Sequence, residues 1–234
     1  MQVVGLTDQD GQPASTAFHA VLAHGADPAV VAHDAGWAVV RPLAATRDAD
    51  GEIVLSLLVR PRDGDVRPQE PGRGQDAGLQ LPPDAELEVR QRVAAYAVVL
   101  SPLGLLATEY SDRTAVPGRW GMPGGGIDDG EEPADAVLRE VAEETDQQVV
   151  LEELVLVQTS HWVGRSPRGT LEDFQAVRLV YRATCPEPHE PRVLDVGGTT
   201  ASARWVPLGD WTRLPWTANW KQLLTELLRQ ENGG

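Results

Sequence analysis

The sequence predicts an α/β protein, a mixed β-sheet with a helix on each side, preceded by a small N-terminal region of helix and β-hairpin. Three stretches carry that prediction. Val89–Leu100 is apolar on both faces, as a central strand is. From Pro133 onward the chain has the spacing of a helix with an apolar and an acidic side. Trp220, Leu223, Leu224, Leu227 and Leu228 recur at i, i+3, i+4, i+7 and i+8, which makes an amphipathic closing helix.

Residues 1–35 are Ala-rich, with helix candidates at Ala14–His24 and Pro28–His33. His19, His24 and His33 match no common metal-ligand spacing and read as surface or capping histidines. A β-hairpin follows, Trp37–Thr46 and Ile53–Arg60 around a turn at Asp48–Gly51. Pro42 places its first strand at an edge or a bulge. The second strand is apolar on both faces, so it must pack on the main domain or on a second subunit, which leaves a homodimer open. Residues 61–86 are rich in Pro, Gly, Asp and Gln and read as a linker or long surface loop between an extension, 1–60, and a main domain, 87–234.

In the main domain, the turn Ser101–Gly104 joins Val89–Leu100 to a strand at Leu105–Glu109. Val149–Ser160 alternates as one long strand or two joined ones, and Gly164–Gly169 is a polar loop carrying Arg165 and Arg168. In Ala176–Ala183, Val177, Leu179 and Tyr181 oppose Arg178 and Arg182, the pattern of a half-exposed strand. Residues 184–200 are a Pro- and Gly-containing excursion before a short strand at Ala203–Val206.

Composition narrows the partners. A formal charge of −15 opposes a nucleic-acid polymer or an anionic membrane as main partner, since both call for a basic surface. It leaves room for a small phosphorylated ligand held through metal ions. With Cys185 as the one cysteine, neither an intrachain disulfide nor a cysteine-based metal site can form. Asp8 and Asp10 stand where a signal peptide would be apolar, and no run approaches 18 apolar residues. The expected compartment is the cytoplasm.

The chemistry concentrates in Gly125–Gln147. A helix puts Glu140, Glu143 and Glu144 at i, i+3 and i+4, on one face, and Ala134, Val137, Leu138, Val141 and Thr145 on another. Like charges at this spacing destabilise a helix by a few tenths of a kcal/mol per pair, roughly. A hard divalent cation offsets that repulsion and also reaches substrate phosphates. Pro133 suits the first helical position, and Met122-Pro-Gly-Gly-Gly-Ile lets backbone come close to a metal or phosphate. A solvated acidic face after a flexible loop is the plainer alternative.

Gly125, five residues, Glu131, seven residues, then Arg139-Glu140-Val141-x-Glu143-Glu144 resembles the Nudix box, the metal-binding loop–helix–loop of the Nudix hydrolases. Trp120-Gly-Met-Pro-Gly-Gly is similar to that family's approach to the box. The chain departs from it at Asp146, where the family usually has a glycine ending the helix in the left-handed region, and at Gln147. The resemblance implies an α/β/α sandwich and hydrolysis of a nucleoside-diphosphate derivative by water, with Mg²⁺ or Mn²⁺ bound. By position in the box, Glu140, Glu143 and Glu144 are the metal-binding carboxylates, one of which could instead act as base. Gly124 matches a position whose carbonyl often ligates metal, and Glu131 and Arg139 match a pair tying the loop to the helix.

The general base stays open between the box and a later loop. Glu172 or Asp173 could supply a further ligand or base, and each also reads as a solvated acid. Trp120, His161 and Trp162 are candidates to stack on a nucleobase, with core or rim packing as the alternative, and Arg119, Arg165 and Arg168 are candidates to contact phosphates, though each reads first as a solvated surface charge. His161-Trp162-Val163 carries neither the proline nor the tyrosine that marks some substrate subclasses after the box. A second class of function is a catalytically silent Nudix-fold module that binds nucleotides or regulates.

Overall fold

Alternating apolar patterns become strands along most of this chain. The computed structural model describes residues 1–9, 12–64, 66–76, 78–82, 85–166 and 169–231. In chain order the elements are β1 (Gln2–Gln9), β2 (Gln12–Val21), α1 (Pro28–Asp34), β3 (Trp37–Arg47), β4 (Ile53–Pro61) and β5 (Arg73–Gln75). Then come β6 (Glu88–Ser101), β7 (Gly104–Tyr110), β8 (Trp120–Gly121), β9 (Gly124–Gly126), α2 (Pro133–Thr145), β10 (Val150–Arg165) and β11 (Leu171–Thr184). β12 (Thr200–Val206), a 3-10 turn (Trp211–Arg213) and α3 (Ala218–Glu231) close the chain. The larger sheet has the order β12-β7-β6-β11-β10-β5, with β8 on β7 and β9 on β6. It is mixed, with β12 antiparallel to β7 and β5 parallel to β10, so the α/β class holds.

Contacts divide the chain into two units. The first comprises Met1–Ala95, Gly126–Ala134 and Glu153–Val180. It contains a four-stranded sheet of order β2-β1-β4-β3. The predicted hairpin is β3–β4, and β1 pairs in parallel with the other edge of β4. Ile53, Leu55, Leu57 and Val59 are buried, with the residues between them half-buried. Pro42 lies on an edge strand and beside a register shift, which suits a residue without an N–H. The helix expected at Ala14–His24 is instead mostly β2, hydrogen-bonded to β1. Ala is the best intrinsic helix former, but propensity amounts to only fractions of a kcal/mol per residue, and pairing along β1 overrides it. In the 61–86 segment most described residues lack regular structure, except that Arg73–Gln75 pairs with His161–Val163.

The second unit comprises Tyr96–Gly125, Asp135–Glu152 and Tyr181–Gly234. Leu105, Leu106 and Ala107 of β7 are fully buried. Gly104 adopts φ 119, and a Cβ there would overlap the Val206 carbonyl, so the turn into β7 requires glycine. In α3, Trp220, Leu223, Leu224 and Leu228 are buried, as the spacing predicts.

Two strands differ from expectation. In β6, Ala94, Ala95, Ala97, Val98 and Val99 are buried, whereas Val89 is 64% exposed. The Ala176–Ala183 part of β11 is not half-exposed: Ala176, Val177, Leu179, Val180, Tyr181 and Ala183 are buried, and within it only Arg178 and Arg182 are partly solvated. The order β6-β11-β10 makes β11 an interior strand, and long Arg stems tolerate such a position. Among the described residues no helix is long and apolar enough to cross a membrane.

Candidate active site

The helix carrying the acids starts as the sequence predicts, with Pro133 as its first residue. Before it, Asp128 N–H donates to Glu131 Oε2 at 2.9 Å and Glu131 N–H to the Asp128 carbonyl at 3.1 Å. Arg47 of β3 fastens this turn. Its side chain donates to the carbonyls of Glu131 (2.5 Å) and Asp128 (3.1 Å), while its backbone N–H donates to Glu132 Oε2 at 3.1 Å. Sequence reading missed Arg47, because nothing local links a hairpin arginine to a loop far along the chain.

The buried face of α2 comprises Pro133, Ala136, Val137, Val141, Glu144 and Thr145. Leu138, expected on the apolar face, is 38% exposed, and Ala136 is fully buried in its stead. Glu144 stands at i+7 from Val137 and i+3 from Val141, in the middle of that buried stripe. The acidic and apolar faces therefore overlap.

Glu144 is held on both oxygens. Its Oε2 accepts from Gly124 N–H at 3.0 Å, and its Oε1 accepts from the Thr200 hydroxyl. Burial pushes its carboxyl up to about 7, and the charges of Glu140 and Asp195 add to that, against the pull of those two hydrogen bonds. Glu140 and Glu143 share Arg139, whose Nη1 lies 3.0 Å from Glu140 Oε1 and 3.2 Å from Glu143 Oε2. Glu143 is the most exposed of the three.

Gly125 completes the arrangement. A Cβ at this position would come within 2.6–2.7 Å of the Glu140 carboxylate, so the missing side chain is the space that carboxylate occupies. Three carboxylates with hard oxygen donors, one cradled against backbone and one anchored by Gly124, suit Mg²⁺ or Mn²⁺ rather than a softer ion.

The end of α2 follows the expectation for a glycine substitute. Asp146 is the one non-glycine residue with positive φ among those described, at 56°, and its N–H donates to the Ala142 carbonyl at 2.9 Å. The 184–200 excursion serves the same helix end. Leu194 and Asp195 N–H donate to the Glu143 carbonyl at 2.8 and 3.1 Å, and Arg192 N–H to the Thr145 carbonyl at 3.1 Å. Thr200 and Asp195 are further residues that local patterns could not reveal.

The remaining candidates lie as follows. Trp120 is 7% exposed, with the Arg204 guanidinium 4.3 Å from its ring centroid, so that face is already covered. Arg119 beside it is exposed. In the first unit, Trp162 packs on Phe174 at 4.6 Å between ring centroids, and His161 Nε2 lies 2.5 Å from Asp173 Oδ1. Glu172 lies 3.5 Å from Arg90. Arg165 donates through Nη1 to the Gly169 carbonyl at 2.9 Å, and Arg168 falls outside the described residues.

Comparison with known proteins places these features in a family. Residues 90–227 match the NUDIX domain. A curated relative, Nudix hydrolase 26 (chloroplastic) of Arabidopsis thaliana, is 43% identical over 53 residues, 23% of each chain. Nucleoside triphosphatase NudI of Escherichia coli is 40% identical over 50 residues, 21% of this chain and 36% of its own. Thus the chain spans only about a fifth to a third of the length of the curated relatives it matches. Among solved structures, a MutT NUDIX hydrolase from Burkholderia pseudomallei is similar at 26% identity and TM-score 0.42, covering 58% of this chain and 97% of that one. The NUDIX domain of Shewanella oneidensis NrtR, solved with ADP ribose, is similar at 22% identity and TM-score 0.43, covering 66% and 94%.

Proposed function

The chain belongs to the NUDIX domain family, and on that premise we propose that it is a metal-dependent pyrophosphohydrolase. It cleaves the diphosphate linkage of a nucleoside-diphosphate derivative by direct attack of water. The observation that carries this reading is the convergence of Glu140, Glu143 and Glu144 on one helical turn, with Glu140 in the space left by Gly125 and Glu144 tied to Gly124. Residues 87–234 form the hydrolase domain and 1–60 an extension across the 61–86 linker, in a cytoplasmic protein.

Glu140, Glu143 and Glu144 would hold Mg²⁺ or Mn²⁺, which when bound would supply positive charge for the diphosphate oxygens and lower the pKa of the attacking water. The chain's own residues do the rest. Glu144, with both oxygens engaged, is the fixed ligand, and Thr200 and Gly124 set its orientation. Arg139 holds Glu140 and Glu143 side by side and limits their repulsion. Glu143, the most exposed acid, accepts the proton of the attacking water. Arg119 is exposed to meet a phosphate, and Glu131 supports the loop through Asp128.

The test is turnover on a broad panel of nucleoside-diphosphate derivatives with and without Mg²⁺, run in ¹⁸O-labelled water. The expected result is metal-dependent release of a nucleoside monophosphate, with the label on one phosphate product. Metal-independent hydrolysis or a trapped phosphoryl-enzyme refutes the mechanism. Silence across the panel with metal bound supports the nucleotide-binding module instead.

A further inference from the structure

The first unit brings together three residues from distant parts of the chain: His24, just after β2, His161 on β10 and Asp173 on β11. One ligand atom from each lies within 4.8 Å of the others. Asp173 Oδ1 faces both imidazoles, 3.0 Å from His24 Nε2 and 2.5 Å from His161 Nε2. The rings meet edge to face at 5.0 Å between centroids. All three side chains are largely buried, with 23%, 13% and 14% of the His24, His161 and Asp173 side chains exposed, which leaves a path for a small ion.

The supports of this cluster are themselves buried and polar. Gln175, fully buried on β11, accepts from Gly25 N–H at 2.8 Å and donates to the Ala26 carbonyl at 2.7 Å. Gln91 donates to the same Gln175 oxygen at 2.8 Å. Asp27 caps α1 through Ala29 N–H and accepts from Thr159 on β10. These bonds fix the segment that carries His24. Gly25, at φ 80, admits the His161 ring where a Cβ would stand 3.0 Å from it. His24 Nδ1 is buried without a hydrogen-bond partner among the described residues, so the ring's polar partner is the cluster itself.

We propose that His24, His161 and Asp173 form a binding site for a borderline divalent transition metal, Zn²⁺ by the chemistry of its donors. Two imidazole nitrogens and a carboxylate suit Zn²⁺ and its first-row neighbours, whereas Mg²⁺ prefers oxygen alone. Ligands at Zn–N and Zn–O lengths of about 2.0–2.2 Å stand roughly 3.3 Å apart in a tetrahedron. The two nitrogen–oxygen separations therefore need to widen by less than about 1 Å. Three protein ligands leave the fourth position to water or a ligand. Arg73 lies on the other carboxylate oxygen, Oδ2, at 2.5 Å, and so turns Oδ1 toward the histidines. The metal would tie the extension to β10 and β11, a role independent of the box carboxylates.

The experiment titrates the full-length protein with Zn²⁺ by calorimetry in excess Mg²⁺, and with Co²⁺ by visible absorption. One equivalent of Zn²⁺ is expected to bind under Mg²⁺, and Co²⁺ to give the strong band of a four-coordinate nitrogen–oxygen site. Asp173→Asn and His161→Gln, which keep hydrogen-bonding capacity, should each weaken Zn²⁺ binding more than about tenfold and abolish that band. Glu144→Gln should retain both. Zn²⁺ binding unchanged in Asp173→Asn and His161→Gln overturns the proposal, as does the lack of any Zn²⁺ binding; the cluster is then a hydrogen-bond network only.

Discussion

Glu144 carries opposed requirements: the proposed reaction would need its charge, and its position in the buried stripe of α2 disfavours that charge. Glu144→Gln keeps the shape, letting the amide oxygen accept from Gly124 N–H and the amide nitrogen donate to Thr200. Turnover should fall by orders of magnitude while the metal-free fold holds or gains stability; marked unfolding would show a structural role instead. The pH dependence has a definite sign. The folded-state carboxyl is raised from 4.5 to about 7, so its contribution to stability is full below about 4.5 and is lost as pH rises through about 7. Denaturant melts in chelator should show that decline, and Glu144→Gln should flatten it; an unchanged slope counts against the burial. Asp146, at φ 56, is strained for a residue with a Cβ, and Asp146→Gly should stabilise by about 0.5–1 kcal/mol, measured by urea denaturation. A loss would reveal a specific contact of the Asp146 carboxylate.

At the level of the element, α2 was legible because its instructions are local: Pro133 opens it, the apolar spacing aims it, and Asp146 ends it. What the helix wheel could not tell was how deeply each position sinks, so Glu144 and Leu138 exchanged expected places. β2 was misread because its instruction is not local. Gln12–Val21 becomes a strand by pairing with β1, and the composition of residues 1–35 suggests helix alone. The grouping of His24, His161 and Asp173 escaped for the same reason: the last two were candidates singly, but three separate parts of the chain assemble the cluster. The loop before α2 offers a sharper test. Gly125→Ala would push a methyl into the Glu140 carboxylate, and turnover should drop at least about tenfold with a weaker apparent affinity for Mg²⁺. Full activity in that variant would mean that the loop yields.

Across the whole molecule, the β3–β4 hairpin and the turn from β6 into β7 stand where the strand patterns pointed, whereas the pairings of β1, β2 and β5 join segments that no local pattern links; each of the two units is built from three separate stretches of the chain. In limited proteolysis, cleavage should begin at 66–72, which are mostly exposed and lack regular structure, and should spare Arg73–Gln75, which is paired to β10. Early cleavage inside 73–75 would show that this pairing is loose in solution. The hydrogen bonds from Arg192, Leu194 and Asp195 to the end of α2 also set an order of events during translation. The acidic helix emerges from the ribosome on the order of seconds before the segment that closes it. Until Asp195 is available, the last carbonyls of the helix face water and its final turn, the one bearing Glu143 and Glu144, is free to fray.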